Sequence, residues 1–90
     1  MSKKPLNFAI LKYMTTVDEA CAEDIMEALK DEYGDYKALK KAGVIEALMT
    51  GVTNGLLTEK RYEMGDDNTV KIYYYAHEEG AETIKSYIPD

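Results

Sequence analysis

Residues 55–80 read GLLTEKRYEMGDDNTVKIYYYAHEEG, and this stretch decides the fold. Leu57–Met64 and Thr69–Ala76 have the composition of two strands. Gly65, Asp66, Asp67 and Asn68 between them accept the dihedrals of a turn. The stretch therefore predicts a β-hairpin with a polar tip projecting into solvent. Alternation places Val70, Ile72, Tyr74 and Ala76 on one face, and Lys71, Tyr73 and Tyr75 on the other. Tyr74 is expected in the core, with Tyr73 and Tyr75 covering a neighbouring helix or a dimer contact. Gly55 supplies a left-handed cap for the helix before the hairpin. Gly80 falls in the first turn of the helix after it, where Glu78, Glu79 and Glu82 suit the helix dipole.

Upstream, the chain reads as helices packed beneath this ribbon. Pro5 suits a helix start. Leu6, Ile10, Tyr13 and Met14 then recur at helical spacing, with Phe8 and Ala9 alongside, which predicts a first helix over about 5–14. The stretch Thr15–Cys21 admits two readings. Thr16 and Glu19 fit a capping box that would start a helix at Val17. The preferred reading makes Thr15–Cys21 a connector with a short extended piece and starts the second helix at Ala22. That helix runs to Tyr33, with Ile25, Ala28, Leu29 and Tyr33 inward and Glu23, Glu27 and Asp31 outward. Gly34 ends it, and Asp35 is a good N-cap for the next helical segment. Ile45, Leu48, Met49 and Val52 predict the inner stripe of a third helix. Leu39 is out of phase with that stripe and Gly43 lies between, so a short helix or turn precedes a main helix from about 41–44 to Asn54. The last helix has Ala81, Ile84 and Tyr87 or Ile88 inward and ends at Pro89.

Ninety residues with a hydrophobic fraction of 46% allow one domain, residues 1–90, with one modest core over about 5–88. No apolar run approaches the roughly 20 residues that span a bilayer. The opening MSKKPLNFAILKYM lacks the long apolar region and cleavage site of a signal peptide. A cytoplasmic protein with no membrane association is expected. Cys21 is the sole cysteine, so no internal disulfide or paired-Cys metal site can form. Among alanines and acids it reads as a small, half-buried residue. The net charge is −6. Its acid is concentrated in residues 18–35, where Asp18, Glu19, Glu23, Asp24, Glu27, Asp31, Glu32 and Asp35 face only Lys30. Residues 36–75 hold six of the basic groups against five acidic ones. A row of carboxylates on an open helix face lacks the convergent oxygens of a cation site, so Glu23, Glu27 and Asp31 read as a solvated stripe.

Helix, connector, helix, turn, helix, hairpin, helix is the order of a winged helix-turn-helix domain, an α+β fold. The wording agrees. Ala47-Leu48, Val52 and Gly55-Leu56-Leu57 resemble the end of a third helix running into a first wing strand. Tyr74-Tyr75-Ala76-His77-Glu78-Glu79-Gly80 resembles the phrase that closes the wing in PadR-like and MarR-like bacterial regulators. Ala76 stands where those carry a larger apolar residue, and His77 stands where they carry threonine. As the sole histidine at a helix start, His77 reads as a substitute N-cap or a surface residue.

The resemblance implies a transcriptional regulator that binds double-stranded DNA as a dimer, with the third helix in the major groove and the hairpin as wing. Lys37, Lys40, Lys41, Lys60, Arg61 and Lys71 would neutralise phosphates. Thr50 and Asn54 would reach base edges. Gly43 and Ala47, on the same outward side, would let the backbone approach. The first helix, the last helix and the exposed tyrosines are the candidate surfaces for a homodimer. The alternative is a protein-interaction module that does not bind DNA. Its contact surface would combine the acidic residues Glu23, Glu27 and Asp31 with Tyr73 and Tyr75. Opposite faces for the acids and for Lys40, Lys41 and the wing favour DNA; a merged face favours a protein partner. No catalytic set, phosphate loop, cofactor motif or metal motif is present in the sequence, so neither an enzyme nor a cofactor is expected.

Overall fold

The computed structural model describes residues 4–37 and 39–88. Four helices and one antiparallel hairpin succeed one another as α1 (Leu6–Met14), α2 (Ala22–Tyr33), α3 (Lys41–Thr53), β1 (Thr58–Met64), β2 (Val70–Tyr75) and α4 (Glu78–Tyr87). The fold is α+β. Pro89 and Ala38 lie outside the described residues. No helix among the described residues is long and apolar enough to cross a membrane.

The connector reading of 15–21 holds. The hydroxyls of Thr15 and Thr16 donate back to the carbonyls of Lys12 and Tyr13 and close α1. Ala20 then pairs with Tyr74, each donating its N–H to the other's carbonyl at 3.0 and 2.9 Å. The connector thus touches the outer side of β2 at one residue. Helix α2 is capped at Cys21, whose backbone N–H donates to the Asp24 carboxylate at 3.2 Å. Cys21 is buried rather than half-buried, and burial pushes its thiol above the usual cysteine range.

The core is one connected cluster. Leu6, Ile10 and Met14 of α1, Ile25 and Tyr33 of α2, Val44 and Leu48 of α3, and Tyr74, Ile84 and Ile88 all contribute to it. The Tyr33 hydroxyl donates to the Lys4 carbonyl at 2.6 Å, so its one polar atom is satisfied as the ring is buried. Lys12 donates to the Ile88 carbonyl at 2.8 Å and ties α1 to the end of α4.

Three expectations about facing need correction. Ala28 is exposed on α2. Tyr87 is exposed on α4, whose inner face is Ile84 and Ile88. The third concerns α3. Its buried face is Val44, Ala47, Leu48 and Gly51, while Met49 is 57% exposed. Ala47, expected outward, is 8% exposed. The cause is close approach. A Cβ added to Gly51 would lie 2.7 Å from Leu57 Cδ1 and 3.2 Å from Leu11 Cδ2, so the two leucines occupy the space that a larger residue would need. The small residues draw the helix in and rotate the larger Met49 out.

Asp35 precedes hydrogen-bonded turns rather than capping a helix: Tyr36 N–H donates to Tyr33 and Leu39 N–H to Tyr36. Helix α3 starts after Lys40, without a side-chain cap. Its C-terminal end has the left-handed pattern expected. Gly55 has φ of 76°, Gly55 N–H donates to Val52 at 3.0 Å, and Leu56 N–H donates to Gly51 at 2.9 Å.

His77 caps α4. Its Nδ1 accepts from the Gly80 N–H at 3.0 Å, and its Nε2 lies 3.1 Å from the Gly55 carbonyl. An accepting Nδ1 leaves the proton on Nε2, which then donates to Gly55. One ring joins the end of α3 to the start of α4. Gly80 is required by the same junction, since a Cβ there would stand 2.1 Å from the Leu56 carbonyl oxygen. We expect Gly80→Ala to lower stability by about 2 kcal/mol or more, because the opposing atom is backbone. His77→Ala should cost about 1 kcal/mol through the lost cap. Thermal unfolding monitored by circular dichroism checks both, and equal melting temperatures for Gly80→Ala and wild type would contradict the packing described.

Candidate interaction surface

Much of the hairpin stands clear of the helices, and residues 59–64 are all exposed. Its strands pair as Thr58↔Tyr75, Glu59↔Tyr74, Arg61↔Tyr73, Tyr62↔Ile72, Glu63↔Lys71 and Met64↔Val70, with a bulge at Lys60. The turn carries Asn68 at φ of 64°, a conformation that asparagine tolerates. Tyr74 is buried at the base of one face. Beyond that base the same face runs out over solvent. Tyr62 is 74% exposed and Met64 64%, with Val70 and Ile72 exposed beside them.

These side chains continue onto α3. Val70 and Ile72 line a cleft with Ile45 and Lys41, and Ile45 also borders a shallow depression on α3 beside Met49, Glu46 and Thr50. On the hairpin side, Val70 and Ile72 border a depression with Tyr62, Glu59 and Lys60. The result is an apolar shelf running from Met49 on α3 to Tyr62 on β1.

The opposite hairpin face is polar and braced. Glu19, from the connector, accepts from Arg61 through both carboxylate oxygens and forms an ion pair with Lys60 at 3.3 Å. Arg61 also pairs with Glu63 at 2.8 Å, and its guanidinium lies 4.0 Å from the centre of the Tyr73 ring. The Tyr73 hydroxyl donates to Glu63 at 3.2 Å. Burial first, and then the negative groups nearby, push that hydroxyl up to about 12. The Arg61 guanidinium holds both Glu19 and Glu63 below the usual carboxylate range.

The cations singled out in the sequence divide into two sets. Lys41 pairs with Glu23 at 3.2 Å. Burial acts to raise Glu23, but its own backbone N–H and Lys41 outweigh this and hold it low. Lys60 and Arg61 are held by Glu19 and Glu63 as described. Lys37 and Lys40 are exposed, and Lys71 is half-buried beside the cleft. Of the two residues expected at base edges, Thr50 is exposed and donates its hydroxyl to the Glu46 carbonyl of its own helix at 2.9 Å. Asn54 lies elsewhere, in a groove with Phe8, Leu56 and Tyr87 between α1 and α4. Gly43 is half-buried.

The acidic stripe is also partly engaged. Glu23 meets Lys41, Glu27 meets Lys30 at 2.8 Å within α2, and Asp31 is exposed. Tyr73 and Tyr75 are half-buried rather than open contact area. Glu19, Tyr62, Met64 and Met49 carry the surface without standing out as site residues in the sequence. A usable signal exists for two of them, because Tyr62 and Met64 alternate in step with Val70 and Ile72. Among the described residues, no group of three or more His, Cys, Asp or Glu side chains is placed to hold a metal ion.

Comparison of the chain with protein-family models, curated proteins and solved structures finds no match.

The bracing predicts a pH dependence. Glu19 and Glu63 have lowered values in the fold, so their contribution is complete above the ordinary glutamate value of 4.5 and is lost as pH falls below it. Glu19→Gln should therefore flatten the acid limb of a melting-temperature profile between about pH 6 and pH 3. An unchanged limb would mean that Glu19 is not held by Arg61 in solution.

Proposed function

We propose that the chain is a protein-docking module of winged-helix type, and that its contact surface is the apolar shelf formed by α3 and the hairpin. The order of elements supports the winged-helix reading. One observation carries the docking reading: the shelf exposes Met49, Tyr62, Met64, Val70 and Ile72 together, where a DNA-binding surface would expose cations. The engaged cations point the same way. Surface ion pairs are worth about 0–1 kcal/mol, so their strength alone would not keep a lysine from a phosphate. Position matters more. A phosphate brought to Lys41 would lie beside Glu23, and one brought to Lys60 or Arg61 would lie beside Glu19. Acid and base thus lie side by side at Glu23 with Lys41 and at Glu19 with Lys60 and Arg61, while Glu27 pairs within α2.

The partner is a protein segment with apolar side chains set among basic ones. Glu46 and Glu59 line the shelf outside every ion pair seen among the described residues, against Lys71 alone on the basic side. The chain as a whole is strongly acidic. Apolar contact would provide affinity, and the basic flanks would provide steering and selectivity.

The test uses two probes on one protein. A random-peptide phage library is panned on the immobilised wild type and on Met49→Asp/Ile72→Asp, with folding of the variant checked by circular dichroism. A mixed pool of duplex DNA is titrated in parallel at low and moderate salt. The expected result is peptides rich in aliphatic or aromatic residues with Lys or Arg, binding the variant at least about tenfold more weakly, and no duplex retained at moderate salt. Peptides that ignore the substitutions, an absence of enrichment, or duplexes retained at moderate salt would overturn the proposal. The last outcome would return Lys37, Lys40 and Lys71 to a DNA interface.

A further inference from the structure

β1 is an unpaired edge. The sheet has the order β1–β2, and among the described residues the connector's backbone pairs with it at Ala20, on β2, while Glu19 reaches β1 through its side chain alone. Residues 59–64 are all exposed. The direction of their backbone groups is set by the turn. Gly65 N–H donates to the Thr69 carbonyl at 2.6 Å, so Gly65 and Thr69 form a hydrogen-bonded pair. Alternation along an antiparallel ladder then makes Glu63–Lys71 and Arg61–Tyr73 hydrogen-bonded pairs as well. Tyr62 and Met64 therefore turn their N–H and C=O groups toward the free edge.

Such an edge is usually guarded by charge and by bulges, and this one has both. The bulge at Lys60 ends regular pairing at one side. The charges, however, oppose two registers and favour one. A twofold axis through Arg61 would place Arg61 opposite itself, and one through Glu63 would place Glu63 opposite itself. An axis through Tyr62 places Arg61 opposite Glu63 of the second copy, and Glu63 opposite Arg61 of the second copy.

We propose that two copies of this chain pair antiparallel along β1, centred on Tyr62. In that register Tyr62 exchanges both backbone hydrogen bonds with Tyr62 of the second copy. The flanking Arg61 and Glu63 fall at non-hydrogen-bonded positions, where opposing side chains stand closest. The arrangement is isologous and closes as a dimer. The product is a four-stranded antiparallel sheet. Tyr62, Met64, Val70 and Ile72 of both copies lie on one of its faces, which makes the shelf continuous across the axis. This inference stands apart from the docking proposal, because it uses the strand edge while docking uses the face.

The test is a charge swap read by sedimentation equilibrium over a range of protein concentrations. Wild type should show a monomer–dimer equilibrium. Arg61→Glu and Glu63→Arg, each confirmed folded by circular dichroism, should each weaken dimerisation at least about tenfold, since two facing pairs become repulsive. An equimolar mixture of the two variants should restore the dimer, as every facing pair is again of opposite sign. That rescue separates the interchain role of Arg61 from its bonds to Glu19 within the chain. A wild type that stays monomeric, variants that dimerise as wild type does, or a mixture that fails to recover would each overturn the proposal.

Discussion

The close approach at Gly51 governs the rest of the structure. With no side chain at that position, Leu57 and Leu11 come in against the backbone of α3. The helix is drawn inward on its small side, and Val44, Ala47, Leu48 and Gly51 become its buried face. The opposite side of α3 is carried round toward solvent as a consequence. Met49 is left open, and Ile45 is left at the border between helix and hairpin. Leu57, seated against Gly51, also fixes where the chain leaves the helix and so where β1 begins. Packing density leaves little slack for a different rotation, because a shift that buried Met49 would open the site that Leu57 fills.

The second constraint is electrostatic and comes from the connector. Glu19 and Ala20 are neighbours, and each holds a different strand. Ala20 pairs with Tyr74 on β2 through the backbone, while Glu19 reaches Lys60 and Arg61 at the bulge of β1. Arg61 extends the set to Glu63 and to the Tyr73 ring. One hairpin face is thereby covered by a closed polar network, and the other is left apolar. The asymmetry makes the exposed face distinctive. Of the cations beside it, Lys41, Lys60 and Arg61 have counterions within the chain, and its exposed side chains are Met49, Tyr62, Met64, Val70 and Ile72.

Much of this architecture is legible in residue types whose roles are local. Gly55 is left-handed because the end of a helix needs it. The hairpin limits come from the Gly-Asp-Asp-Asn turn, and the break at Ala22 comes from the connector. His77 is legible as a cap because it stands at a helix start with no partner for other chemistry. The illegible part is tertiary. The stripe Ile45, Leu48, Met49 and Val52 suggests one rotation of α3; Leu48 is buried and Ile45 and Val52 pack against the core, but the neighbours of Gly51 turn the helix so that Ala47 is buried and Met49 exposed. Glu19 fits a capping box with Thr16 in the sequence, but its partner Arg61 lies 42 residues away along the chain. Lys41, Lys60 and Arg61 look available because Glu23 and Glu19 are distant in sequence. Glu23 meets Lys41, and Glu19 meets Lys60 and Arg61, only in the folded chain.

Helix α3 buries the face that carries Ala47 and Gly51 and presents Met49 to solvent on a shelf shared with Met64. Methionine oxidation reads this directly, because a thioether reacts in proportion to its access to peroxide. The folded protein should be treated with dilute hydrogen peroxide and the sulfoxides located by mass spectrometry against time. Met49 and Met64 should oxidise early and at similar rates, while Met14, fully buried in the core, stays protected. A Met49 as slow as Met14 would mean that α3 is rotated the other way, and the shelf would not exist.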